Sequence, residues 1–184
     1  MSIYGWDGKW KISIVAAYSK DTKVIGAKGK LPWGKCSKDL KKFKDITTGK
    51  LYGGDSCVIM GRKTYDTIGA PLPDRTNIIM TTNLKYIPPN GVNANLIMCY
   101  NMDEVFSYLE INNIYKPFVI GGGEIYSIFI PYCDRMYITE FNEKYEGDRI
   151  FPRVLPKSWD IEEVCEDEQS NDLYKNYIWR RNPC

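Results

Sequence analysis

Val119-Ile120-Gly121-Gly122-Gly123-Glu124-Ile125-Tyr126 is the stretch from which the rest of the chain is best read. A short apolar run, residues 117–120, has the length and β-branching of a buried strand. It runs into three glycines and then into a helical segment, residues 124–130, that Pro131 stops. Glycines after a buried strand let the backbone turn sharply and come close to a ligand. The helix that follows offers unpaired N–H groups and the positive end of its dipole, so a phosphate or pyrophosphate fits there. The last glycine of a GxGxxG fingerprint would fall where this chain has Tyr126, so a merely tight turn is an equal alternative.

Working outward, the same strand-to-helix pattern recurs at Ile59-Met60-Gly61-Arg62-Lys63-Thr64. Residues 57–60 read as a strand and 61–68 as the junction and a short helix, closed by Gly69 and Pro71. Arginine forks onto phosphate and lysine supplies a point charge. Two anion-ready helix starts on one sheet suggest a dinucleotide, and the paired cations suggest an extra phosphate, NADP rather than NAD. A charged, solvated helix start is the alternative.

Residues 11–18 form another apolar strand, and 19–33 a loop punctuated by Gly26, Gly29 and Pro32. Ser37 is placed to cap a helix running to about residue 46. Strands follow at 77–80, 96–100 and 135–141, with a helix at 102–111. Residues 159–165 and 173–180 alternate like a closing antiparallel hairpin. Strands alternating with helices, then two antiparallel strands, predict an α/β fold with a mostly parallel sheet and an antiparallel edge.

Composition narrows the chemistry. The 184 residues suit one domain, with residues 1–10 as a short extension, and 43% hydrophobic and 14% aromatic residues suffice for a core. There is no histidine. That excludes Ser-His-Asp and Cys-His catalysis, HExxH zinc sites and histidine-held iron. The six cysteines include no CxxC pair, so no metal site is expected. No leader or membrane span is visible, which predicts a reduced, cytoplasmic protein. A net charge of +2 without an aromatic-interleaved basic stripe argues against nucleic acid, although 12 lysines and 4 aspartates in residues 1–50 favour an anionic ligand.

Two further residues stand out. Asp39 lies in the first turn of its predicted helix, beside Leu40 and Phe43. Such an aspartate usually complements the dipole, but in a cleft, burial and dipole would pull its pKa in opposite directions. Arg75 follows a rigid proline turn, Pro71-Leu72-Pro73-Asp74, and could clamp a carboxylate or simply lie on the surface.

Taken together and in order, these segments resemble the dihydrofolate reductase family. The match comprises Leu31-Pro32-Trp33; Lys38-Asp39-Leu40-Lys41-Lys42-Phe43-Lys44; Val58 through Tyr65; Pro71 through Asn77; Val119 through Tyr126; and Gly147-Asp148-Arg149-Ile150-Phe151-Pro152. It spans about residues 12–181. The resemblance implies an eight-stranded, mostly parallel sheet with an antiparallel C-terminal edge, flanked by four helices. It implies NADPH-dependent reduction of 7,8-dihydrofolate to tetrahydrofolate, by hydride transfer from nicotinamide C4 to pterin C6 with protonation at N5. The protein would be a monomer whose partners are small molecules, the substrate and antifolate inhibitors.

Site roles also follow from the resemblance alone. Asp39 would be the active-site carboxylate, with Thr139 supporting it. Leu31 and Trp33 would belong to the loop closing over the chemistry. Val15, Ala16, Leu40, Phe43, Ile68, Leu72 and Ile120 would surround the pterin and aminobenzoyl rings, with Tyr126 near the nicotinamide and substrate. Arg75 would fork onto the glutamate α-carboxylate. The backbone at Ala17 and Ile25 would hold the nicotinamide carboxamide. Gly61, Arg62, Lys63, Thr64, Thr81 and Thr82 would take phosphates. Gly121, Gly122, Gly123, Glu124 and Ile125 would bracket the pyrophosphate, with a cis peptide between Gly121 and Gly122. Departures from the family pattern are a longer loop at residues 20–23, an insert at 50–56, and Ala70 where some members carry a second arginine. A related reductase acting on a riboflavin-pathway pyrimidine, and a silent pterin- or nucleotide-binding protein, are the rivals. The Asp39 helix and Arg75 weigh against the first, and intact Asp39 and glycines against the second.

Overall fold

The computed structural model describes residues 9–89, 91, 94–164 and 172–182. Most of the expected N-terminal extension, and Cys165 at the end of a predicted strand, lie outside these residues. In chain order the elements are β1 (Ile12–Ser19), β2 (Val24–Gly26), α1 (Ser37–Thr47), β3 (Cys57–Gly61), α2 (Arg62–Ile68), β4 (Thr76–Met80), β5 (Leu96–Cys99), α3 (Met102–Ile111), β6 (Phe118–Gly121), α4 (Gly123–Phe129), β7 (Cys133–Phe141), β8 (Arg149–Ile150), β9 (Trp159–Glu163) and β10 (Tyr174–Arg181).

Eight strands form one sheet in the order β5-β4-β3-β6-β1-β7-β10-β9. The first six are mutually parallel. Strand β10 is antiparallel to both β7 and β9, which makes the expected edge. Strands β1, β3 and β6 are central and covered on both faces, which explains their unbroken apolar runs. Alternation along β1 feeds two cores. Ile12, Ile14, Ala16 and Tyr18 enter one with Ile59, Ile125 and Phe129, while Val15 enters the other with Ile46, Val58 and Ile120.

Two local expectations change. Residues 19–33 are not wholly loop: Val24–Gly26 pairs antiparallel with Arg149–Ile150, a two-stranded ladder outside the main sheet. Ser37 does not cap α1. It is the first helical residue, Cys36 holds the cap position, and no side chain bonds there.

Candidate active site

The C-terminal ends of β1, β3 and β6 lie side by side, the place where open α/β sheets bind ligands. Ile59 is level with Val119 but Met60 with Gly121, so Ile120 is an extra residue that bends β6 just before the glycines. The Gly121–Gly122 peptide is cis. Gly121 has φ +106°, and a Cβ there would lie 2.8 Å from the Tyr126 ring. Tyr126 is buried and its hydroxyl donates to the Val15 carbonyl at 2.9 Å, fastening α4 to β1. Burial pushes its phenol up, so it stays neutral.

Helix α2 follows Gly61, and α4 follows Gly122, without a capping side chain at either start. The two starts abut. A Cβ on Gly61 would come within 3.0 Å of the Ile125 side chain, and one on Gly122 within 3.4 Å of Thr64 Oγ1. The starts of the two helices and the Thr64 hydroxyl therefore lie together. Arg62 is paired with Asp66 at 3.1 Å and lies over the Tyr86 ring, while Lys63 is exposed. Thr81, half-buried, and Thr82, exposed, follow β4 on the next strand outward. Glu124 is exposed at the start of α4.

Asp39 is the buried acid of α1, 8% exposed. Burial raises its carboxyl above the ordinary range, and a hydrogen bond from the Thr139 hydroxyl and the nearby Lys42 ammonium oppose that rise. Burial is the largest of these effects. Thr139 reaches it from β7, where it is level with Ala17 of β1 and Asn176 of β10.

Phe43 and Leu72 pack against the cluster that holds Val15, Ile46 and Ile120, so these residues do form one apolar wall. The Ala16 side chain does not join it. Strand alternation sends it into the opposite core. Leu31, Leu40 and Ile68 are 42%, 37% and 39% exposed. Arg75 is not a surface residue: it is 5% exposed, donates through Nε to the Pro73 carbonyl at 3.0 Å and through a terminal nitrogen to Thr47 Oγ1 at 2.5 Å, and lies 6.0 Å from the Phe43 ring centre. Asn77 supports this turn, bonding Leu72 N–H, the Leu72 carbonyl and the Arg75 carbonyl.

Trp33 stacks on Phe141 at 4.2 Å, and its indole N–H is buried without a protein partner. Ile25 packs at the edge of the core, and Ala17 is half-buried in β1. Asp148 accepts from the Lys28 amide at 3.0 Å, and its own amide donates to the Gly26 carbonyl, tying the loop before Leu31 to β8. Among the described residues no cluster of three or more metal-binding side chains exists.

A family model described as dihydrofolate reductase matches residues 11–181. The chain belongs to the dihydrofolate reductase family. Among its relatives, the dihydrofolate reductase of Staphylococcus haemolyticus is 32% identical over 179 residues, covering 93% of this chain and 96% of that one. The Bacillus subtilis dihydrofolate reductase is 34% identical, covering 86% and 88%. A solved dihydrofolate reductase from Enterococcus faecalis, complexed with NADP(H) and RAB-propyl, superposes with a TM-score of 0.74 at 26% identity over 95% of this chain and 99% of that one.

The structure gives contacts to three residues that had no assigned role in the sequence, Asp148 among them already part of a matched motif. Thr47 holds Arg75, and Asp148 anchors the loop. Asn176 stands behind Thr139. Thr47 had a sequence signal, being on the same helix face as Phe43. Asn176 had a weaker one, a polar residue at an inward position of an alternating strand.

Proposed function

We propose that this enzyme reduces 7,8-dihydrofolate to 5,6,7,8-tetrahydrofolate with NADPH. The observation that carries the reading is Asp39, among the described residues the one buried carboxylate, on the helix whose Phe43 and Ile46 pack into the apolar cluster of Val15 and Ile120. The donor set fits the cofactor: close backbone approach at Gly61 and Gly121–Gly123 suits a pyrophosphate, and Arg62, Lys63, Thr64, Thr81 and Thr82 suit further phosphates. Ala17 and Ile25 would bind the carboxamide through their backbone groups, and Glu124 and Ile125 would flank the pyrophosphate. When bound, NADPH supplies the hydride that passes from nicotinamide C4 to pterin C6.

The residues do the remaining work. Asp39, ionised, accepts hydrogen bonds from the pterin 2-amino group and N3. That contact holds the carboxylate away from N5, so the proton reaches N5 through water, with Asp39 assisting. Acid assistance of this kind is worth about 10²–10⁴-fold. Val15, Phe43, Leu72 and Ile120 hold the rings in register, and alignment of the two rings supplies much of the rest. Leu31, Leu40 and Ile68 are exposed aliphatics that the rings would cover. Arg75, already oriented by Thr47 and Pro73, offers its fork to the glutamate carboxylate. Trp33 and Leu31 close the loop and exclude water.

We place the enzyme in the cytoplasm as a monomer. Supporting a reducing compartment are four free thiols among the described residues. The test is NADPH oxidation followed at 340 nm with dihydrofolate. Turnover with dihydrofolate, but not with a riboflavin-pathway pyrimidine, is expected. No turnover at any pH would overturn the reading.

A further inference from the structure

The Thr139 hydroxyl has one proton and two polar neighbours. On one side is the Asp39 carboxyl. On the other is Asn176, directly opposite in the β7–β10 ladder, 2% exposed, with its Oδ1 3.3 Å from Thr139 Oγ1. The Asn176 Nδ2 is buried and has no partner. These facts concern the same proton. A hydroxyl that donates to Asn176 cannot also donate to Asp39. An ionised Asp39 would then face oxygen lone pairs while the amide N–H groups stayed unmatched, and each is unfavourable when buried.

A half-turn of the amide exchanges its oxygen and nitrogen with almost no change of shape. Nδ2 then donates to Thr139 Oγ1, and the hydroxyl proton is released toward Asp39. When Asp39 takes up a proton, the first orientation becomes the better one for the hydroxyl: Asp39 donates to Thr139 and Thr139 donates to Oδ1, with Nδ2 left unmatched. We propose that Asn176 is a positioning residue, whose amide sets whether the single Thr139 proton is offered to Asp39 and which turns over as Asp39 is protonated. This rests on Asp39 being the catalytic carboxylate.

The surroundings leave this role to an amide. Lys42 of α1 is the charged group acting on Asp39. Around Asn176 on its face of the sheet are the Tyr174 and Ile178 side chains on β10, both buried, Val164 at the end of β9 and, beyond Ile178, the Arg180–Glu162 ion pair at 3.1 Å. The flanking charges Glu140, Glu163 and Lys175 alternate to the other face, where Lys175 pairs with Glu163 and Lys23 with Glu140. An ionised aspartate at 176 could only accept from Thr139, and a leucine could do neither.

The experiment is a ¹³C NMR titration of the Asp39 carboxyl in the folded protein, with circular dichroism to check each variant. Asn176→Asp draws the Thr139 proton away, so the Asp39 midpoint should rise by about one pH unit. Asn176→Leu leaves Thr139 only Asp39 to donate to, so the midpoint should stay or fall. Thr139→Val should raise it, and on that background Asn176→Asp should add less than it does in wild type, leaving only the direct repulsion between the two carboxylates. Equal midpoints throughout, shifts of the same sign for Asp and Leu, or an undiminished Asn176→Asp shift without the Thr139 hydroxyl would overturn the proposal. If the variants do not fold, the wild-type Asn176 side-chain ¹⁵N signal decides: it should titrate with Asp39, and a flat signal refutes the relay. None of these readouts needs turnover, so full activity of Asp39→Asn would overturn the catalytic assignment separately.

Discussion

Gly121→Ala tests the packing that builds the cofactor cradle. At φ +106° an alanine is in a strained region, a cost of about 1–3 kcal/mol. Its Cβ would also lie 2.8–2.9 Å from three Tyr126 atoms, closer than such atoms approach. The ring cannot swing away freely, because it is 5% exposed and its hydroxyl is held by the Val15 carbonyl at 2.9 Å. Breaking that buried bond costs about 1–3 kcal/mol more. The sum is about 2–6 kcal/mol, a large part of the total stability of a domain. For a chain of this size that lowers Tm by roughly 4–24 °C. Urea unfolding of Gly121→Ala, Tyr126→Phe and the double variant measures it. Tyr126→Phe alone should cost about 1–3 kcal/mol. It also frees the ring, so the double variant should cost less than the sum by about 1 kcal/mol. A Gly121→Ala variant within about 0.5 kcal/mol of wild type, or strict additivity, would refute the reasoning.

Two further outcomes follow from charge. Arg62→Ala should raise Kd for NADPH far more than for NADH, measured by fluorescence titration; equal losses would remove the phosphate assignment. Asp39→Asn should raise Tm at pH 7. Burial holds the Asp39 pKa above its unfolded value, so the folded chain binds that proton more tightly than the unfolded one. Its favourable contribution is complete below the ordinary carboxylate range, near pH 4, and is lost as pH rises through the raised folded value. The gap between variant and wild type should therefore close on acidification, and a lower Tm at pH 7 would contradict it.

The parallel body of the sheet was legible in sequence because its signals are local. Each central strand is a continuous apolar run, and Gly121–Gly123, Gly69 and Pro131 punctuate the helices that follow. The β2–β8 ladder was not legible. It joins three residues to two across more than a hundred positions, and neither segment alternates long enough to register. Ser37 was a reasonable cap by type, but the first helical turn begins there, one residue early. At the site, side-chain identity showed which residues could act, while pairing register decided which meet. Asp39 and Arg75 were suspects from type and position, yet their burial came only with the packing of α1 against β1 and the Asn77-braced turn. Ala16 sits beside Val15 in sequence but faces the other core, an outcome of strand alternation that the motif alone hid. Asn176 acquired meaning only from lying level with Thr139.

The central claim is that one buried carboxylate, without any histidine, organises the proton side of the reaction. The direct measurement is kcat/KM for dihydrofolate across pH for wild type and Asp39→Asn. The variant should lose at least about two orders of magnitude at pH 7 and regain part of that at low pH, where the substrate is protonated in solution. Wild-type turnover by Asp39→Asn at neutral pH would contradict the account.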